Sequence, residues 1–155
     1  MNDDKRLPDD ALLPRDTRRS LPIALLRARE AVMSRFRPVL AEQDVTEQQW
    51  RVIRVLAEEN PLDATELAER ACILAPSLTR ILRSLEERGL IVRERDQLDG
   101  RRLLLSLSAK GMEIIYAVSP ASKDVYADLE ARYGRKRLDD LLDMLGDLAA
   151  LKTDQ

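Results

Sequence analysis

The sequence predicts a mainly α chain with one small β-hairpin, a winged helix-turn-helix set between N- and C-terminal helices that serve dimerisation. Three observations carry this fold class. The stretch ATELAERACILAPSLTRILR, Ala64 to Arg83, divides into two short helical segments with a tight turn between them. Directly after it, Leu90 to Leu107 changes from a helical to a period-two pattern interrupted by Asp99-Gly100. Finally, Leu138, Leu141, Leu142, Leu145, Leu148 and Leu151 form a leucine stripe with little of the chain left to cover it.

Composition narrows the function. With 155 residues, 45% apolar and 35% charged, the chain has room for one domain with extra helices for assembly. Aromatic residues make up only 3%, too few for a platform that stacks single-stranded bases. There is no histidine and one cysteine, which removes the common zinc sites, histidine-dependent catalysis and any disulfide within the chain. No nucleophile–base set or metal cluster is apparent, so no enzymatic activity, metal or cofactor is expected. There is no long apolar run or signal-peptide pattern, so the expected location is the cytoplasm. The net charge is −2, yet Arg70 to Arg102 holds eight arginines against Glu86, Glu87, Glu94, Asp96 and Asp99. A basic edge on an acidic body suits nucleic-acid binding and limits indiscriminate adhesion.

Taken in order, residues 1–19 lack a helical or strand period and read as a flexible arm, whose Arg15, Arg18 and Arg19 would meet solvent, a phosphate backbone or a partner subunit. A helix follows over about 20–42, with Ser20 as cap and Pro22 in its first turn. Leu21, Leu25, Ala28, Val32, Phe36 and Val39 form its apolar stripe, widened by Met33 and Leu40. Arg29 falls inside that stripe and must find an anion, a carbonyl or water. Pro38 should kink this helix or end it early. Thr46 and Gln49 have capping-box form and open a helix to about Glu59, with Trp50, Ile53, Val55 and Leu56 inward, stopped by Asn60-Pro61.

Asp63 and Glu66 repeat the capping box at the start of the helix-turn-helix. Leu67 and Ala71 face inward, and Ala68 and Cys72 are small where the second helix crosses closely. That second helix runs from Pro76 to about Arg88-Gly89 and buries Leu78, Ile81, Leu82 and Leu85. Its other side carries Pro76, Ser77, Thr79, Arg80, Arg83 and Ser84, a short hydrogen-bonding face that a major groove can accept. The hairpin, Leu90–Arg95 and Leu103–Leu107, is a wing in this position. Arg101 and Arg102 would enter a minor groove or grip phosphates, with Asp99 holding one of them in a bidentate pair. Ser108 caps a helix to about Tyr133, with a kink or break expected near Val118 from Pro120; Gly134 then separates a last helix, Arg135 to Leu151. Its leucine stripe and the first helix would make a homodimer interface or pack within one subunit.

This order of elements, and DGRRLLLSLSAKG from Asp99 to Gly111, resemble the MarR family of bacterial transcriptional regulators, whose wing carries a D-x-R motif ahead of an L-T/S-x-x-G helix start. Within the family, LLRAREAVMSRFRP, TEQQWRV and RACILAPSLT are similar to the regulators of homoprotocatechuate (4-hydroxyphenylacetate) degradation operons. The resemblance covers roughly residues 20–151. It implies a triangular homodimer that grips pseudo-palindromic double-stranded DNA and is released by a small aromatic carboxylate or phenolic effector, and so a repressor of an aromatic-acid catabolic operon. Asp99 and Arg101 match the family's wing motif, and Ser77, Thr79, Arg80 and Arg83 match its exposed recognition positions. The helical wheel adds Arg29 as the anion partner of the effector, with Leu25, Met33 and Phe36 around its ring; a permanent structural partner for Arg29 is the alternative. Two further readings are a redox-sensing regulator switched at Cys72 and a winged-helix module that binds protein in place of DNA.

Overall fold

The computed structural model describes residues 16–151, which form six α-helices and one two-stranded antiparallel sheet. The chain divides into two units, residues 1–35 and 36–155, with the boundary inside the first helix. Of the arm expected over residues 1–19, Thr17–Arg19 form a single 3-10 turn. Asp16 caps it by accepting the Arg18 N–H at 2.9 Å. The remainder of that arm, Arg15 included, lies outside the described residues. Helix α1 spans Leu21–Glu42 and carries Pro38 in its interior. Proline removes one N–H bond to the preceding turn, and so late in a 22-residue helix that loss does not end it. In the first unit the apolar stripe is uncovered in the single chain: Leu21, Leu25, Ala28, Arg29 and Val32 are exposed, so Arg29 is not the buried cation that its place on the wheel suggests.

The second unit is built on α2, Glu47–Glu58. Thr46 Oγ1 accepts the Gln49 N–H at 3.1 Å and the Gln49 side chain accepts the Thr46 N–H at 3.1 Å, the reciprocal capping box. Val52, Ile53 and Leu56 are fully buried, while Trp50 and Val55 pack half-buried at the margin, so the inner face is rotated towards Val52 relative to the expectation. Helix α3, Ala64–Ala71, starts from a second capping box, with Asp63 accepting the Glu66 N–H at 2.8 Å. Helix α4, Ala75–Glu87, buries Leu78, Ile81, Leu82 and Leu85. It ends in a Schellman motif, where the Leu90 N–H reaches the Leu85 carbonyl at 2.9 Å and Gly89 takes the left-handed φ of +69° that the turn demands.

Strands β1, Ile91–Arg95, and β2, Leu103–Leu107, pair antiparallel with Arg93 opposite Leu105. Leu62, just ahead of α3, exchanges both backbone bonds with Leu105 at 2.7 and 3.0 Å, so the hairpin is stitched to the helix-turn-helix at its root. One apolar cluster joins Val52, Leu56, Leu67, Leu82, Leu85, Leu90 and Leu105. Helix α5, Ala109–Tyr133, is capped by Ser108 and runs through Pro120 without the expected break. Next to the proline, the Ser119 hydroxyl donates to the Ile115 carbonyl at 2.7 Å, while the interrupted ladder resumes beyond it. After Gly134, α6, Arg135–Ala149, lies against α5 and leaves Leu142, Met144 and Leu148 exposed.

The first turn of α5 is pressed onto the wing. A Cβ added at Gly111 would stand 2.3 Å from the Leu90 carbonyl oxygen and 2.4 Å from Leu107 Cδ1. Alanine improves intrinsic helix propensity by about 1 kcal/mol, yet here the clash involves backbone. Gly111→Ala should therefore lower unfolding free energy by roughly 1–3 kcal/mol, read from the urea midpoint at unchanged m-value.

Candidate nucleic-acid interface

The turn between α3 and α4 is held from outside. The Ile73 N–H bonds the Ala68 carbonyl at 3.0 Å and Cys72 adopts φ +52°, a conformation that costs a non-glycine residue energy. Arg51 of α2 stabilises it: its Nη1 donates to the carbonyls of Ala71 at 3.1 Å and Cys72 at 3.0 Å, the otherwise unbonded C-terminal groups of α3. Sequence reasoning missed Arg51. Its only signal was a cation beside the apolar face of α2. The same geometry corrects the expectation for Cys72, whose side chain is exposed because the left-handed backbone turns it outward instead of into the α3–α4 crossing.

Helix α4 then presents its outer face. Leu74 occupies the N-cap without a side-chain cap, Pro76 sits in the first turn, and Pro76, Thr79, Arg80 and Arg83 are exposed, with Ser77 half-buried. Thr79 Oγ1 donates to the Ala75 carbonyl at 3.1 Å, which orients its methyl and leaves the oxygen free to accept. Ser84 stands apart from this group. It is half-buried and accepts a bond from Gln49 Nε2 at 3.2 Å, so it ties α4 to α2. Arg88 continues that tie, with Nη1 donating to the Asp44 carbonyl at 2.7 Å.

In the wing, Arg101 is exposed near the tip while Arg102 turns back to the base. Arg102 Nε donates to Asp63 Oδ2 at 2.9 Å and Nη2 to Glu66 Oε1 at 3.0 Å, with Asp96 at 3.9 Å. Arg102 is therefore a brace between wing and α3, and its engagement with three carboxylates withdraws it from the groove-contacting role expected of it. Nor does Asp99 pair with an arginine side chain: its Oδ1 accepts the Arg101 backbone N–H at 3.1 Å and its carbonyl accepts the Arg102 N–H at 2.9 Å. Aspartate two residues before its donor closes a local turn more readily than it reaches a guanidinium. Among the described residues, Arg80, Arg83 and Arg101 pair with no carboxylate, and Arg95 of β1 is held only by the Gly100 carbonyl, so α4 and the wing keep these cations.

The residues expected to hold an effector all lie along α1. Leu25 and Arg29 are exposed on α1 and Met33 is half-buried; Phe36, in the second unit, is buried edge-on against Tyr126 with ring centroids 5.3 Å apart. An open cleft of about 410 Å³ in the second unit is lined by Ala41, Asp44, Val45, Thr46, Gln49, Ser84 and Arg88, none of them an expected effector contact.

A family model described as the MarR family matches residues 45–103. The chain is 43% identical over 133 residues to the HTH-type transcriptional regulator FarR of Neisseria gonorrhoeae, covering 86% of this chain and 91% of that protein. The chain belongs to the MarR family. It is 42% identical over 132 residues to the homoprotocatechuate degradative operon repressor of Escherichia coli, covering 85% of this chain and 89% of that one. Its fold matches the crystal structure of NadR in complex with 4-hydroxyphenylacetate at a TM-score of 0.79 and 41% identity, over 91% of this chain and all of that one. As a MarR-family member it is a DNA-binding transcriptional regulator, and the outer face of α4 with the wing is the candidate for its nucleic-acid interface.

The brace that shapes this MarR-family wing is sensitive to acid. The Glu66 N–H, and beyond it Arg102, hold the Asp63 carboxyl below its ordinary value of 3.8, and Asp63 in return raises the guanidinium of Arg102. A carboxylate with a depressed folded value stabilises the fold above its unfolded value, and this contribution is lost as pH falls through the folded one. Hydrogen exchange of the Ile91–Leu107 amides, corrected for intrinsic rates, should hence be constant above about pH 5 and accelerate below about pH 4. Arg102→Ala should show the accelerated wing exchange already at neutral pH, with the Val52–Leu56 amides unchanged.

Proposed function

We propose that the protein is a homodimeric repressor of an aromatic-acid catabolic operon, released from a pseudo-palindromic operator by a small aromatic carboxylate or phenol. The observation that carries this reading is the pairing of an unengaged basic face, Arg80, Arg83 and Arg101, with relatives of about 40% identity, one an aromatic-degradation operon repressor and another bound to 4-hydroxyphenylacetate. Helix α4 supplies short side chains for the base edges of a major groove and the wing supplies a cation for the flanking backbone or minor groove. The operator lies in the cytoplasm, and no described helix is long and apolar enough to cross a membrane.

Dimerisation follows from what one chain leaves uncovered. Leu21 is 54% exposed and Leu26 64% on α1; Leu142 is 59% exposed and Met144 60% on α6. A second copy covering the helices over residues 20–42 and 108–151 removes this apolar surface from water and leaves the winged helix-turn-helix, residues 46–107, to the DNA. Two recognition helices related by a two-fold axis then address half-sites about one helical turn apart. Leu142→Arg should shift the protein from dimer to monomer in analytical ultracentrifugation and abolish operator binding; a monomeric wild type with a footprint over a single half-site would contradict the proposal.

For the effector, Arg29 supplies the counter-charge and Leu25 and Met33 an apolar surround for a ring. An effector acts only if it prefers the dimer geometry that does not fit the operator. Arg29→Ala should keep the dimer and its operator affinity while raising the 4-hydroxyphenylacetate concentration needed for release at least tenfold, about 1.4 kcal/mol of binding. Loss of the folded dimer, or release at unchanged concentration, assigns Arg29 to structure.

A further inference from the structure

The wing tip is built more tightly than a charged surface loop requires. The Asp96 N–H bonds the Arg102 carbonyl at 2.9 Å, Asp96 Oδ1 accepts the Leu98 N–H at 2.9 Å, and Asp99 Oδ1 accepts the Arg101 N–H at 3.1 Å. From the neighbouring strand, Arg95 Nη1 donates to the Gly100 carbonyl at 2.7 Å. Both tip aspartates are thus committed to backbone groups of the loop. What they leave at the apex is Leu98, 98% exposed, with Arg101 exposed three residues further on. A single exposed leucine is ordinary on a protein surface. Leu98 differs because the loop fixes it, by a bond to its own N–H, at the end of an element that points a cation outward.

We propose that Leu98 is an apolar wedge that enters the minor groove beside Arg101 at the flank of each half-site. This inference rests on the DNA-binding reading above and adds a second chemistry to the wing. The groove is walled by deoxyribose C–H groups, and aliphatic side chains inserted there partly unstack a base step while a neighbouring arginine neutralises the converging phosphates. The pre-formed loop means that little backbone freedom is lost on insertion. Asp96 is half-buried and turned to the Leu98 N–H and Arg102, which leaves Asp99, held through one oxygen to the Arg101 N–H, as the tip's exposed carboxylate. Because unstacking is easiest at pyrimidine–purine steps, Leu98 would select flanking sequence through deformability without reading a base edge.

The test uses the full chain and a duplex selected by the wild-type protein from a random pool, with affinity followed by fluorescence anisotropy across a salt series. Leu98→Asn should weaken binding about tenfold or more, the loss of one buried aliphatic side chain, along a line of log affinity against log salt parallel to wild type. Leu98→Met should retain most of the affinity. Arg101→Ala, by contrast, should flatten that line by about one unit for each phosphate it no longer neutralises. A 2-aminopurine placed at the flank should brighten with wild type and not with Leu98→Asn. Binding of Leu98→Asn within about twofold of wild type, or a changed salt slope, overturns the wedge while leaving the regulator reading intact. A wild-type chain that selects no duplex overturns that reading, and the wedge with it.

Discussion

Everything the wing does depends on one carboxylate used twice. Asp63 Oδ1 accepts the Glu66 N–H and so starts α3, while Oδ2 accepts Nε of Arg102 and so anchors the hairpin. One residue earlier, Leu62 pairs with Leu105, which places the apolar and the polar ends of the joint side by side. The individual ion pairs are partly exposed and each is worth little in water. Their effect comes from geometry: a guanidinium forked between two carboxylates of one helical turn admits few orientations of the strand that carries it. The hairpin has only two strands and little stability of its own, so its direction relative to α4 is set at this joint.

Much of this was legible in the sequence because the signals are local. Capping boxes at Thr46 and Asp63, the apolar period of α4, the change to period two after Gly89 and the Ser108 cap each lie within a few residues and read correctly. Several departures share a cause: they needed a partner distant in the chain or a backbone angle that side-chain type does not announce. Arg102 and Asp63 are 39 residues apart, and no pattern told Arg102 from its exposed neighbour Arg101. Cys72 has the size of a core residue but the dihedral of a helix terminator. Ser84 belongs to the polar side of α4 by periodicity yet meets Gln49 across a helix crossing. Pro120 followed the general rule for proline, which fails where a long helix loses a single bond and keeps its other constraints.

The charge pattern has the same division between body and edge. The net charge of −2 hides a basic stretch from Arg70 to Arg102, and within it Arg80, Arg83 and Arg101 stay exposed on α4 and the wing, where their field favours a polyanion. The arginines that look redundant in a count are not equivalent: Arg51, Arg88 and Arg102 are spent on carbonyls and carboxylates inside the domain, and only the remainder face outward.

The ties on α4 bear on how such a protein could change its mind about DNA. At its entrance, the turn is clasped by Arg51; at its exit, Ser84 and Arg88 are bonded to Gln49 and to the Asp44 carbonyl. A helix pinned at both ends to the same neighbour cannot swivel alone without breaking several bonds together. Any movement of α4 is then a movement of α2 and the turn together with it. The outer face of α4 carries none of these ties, so substitutions there leave the clasp at both ends intact.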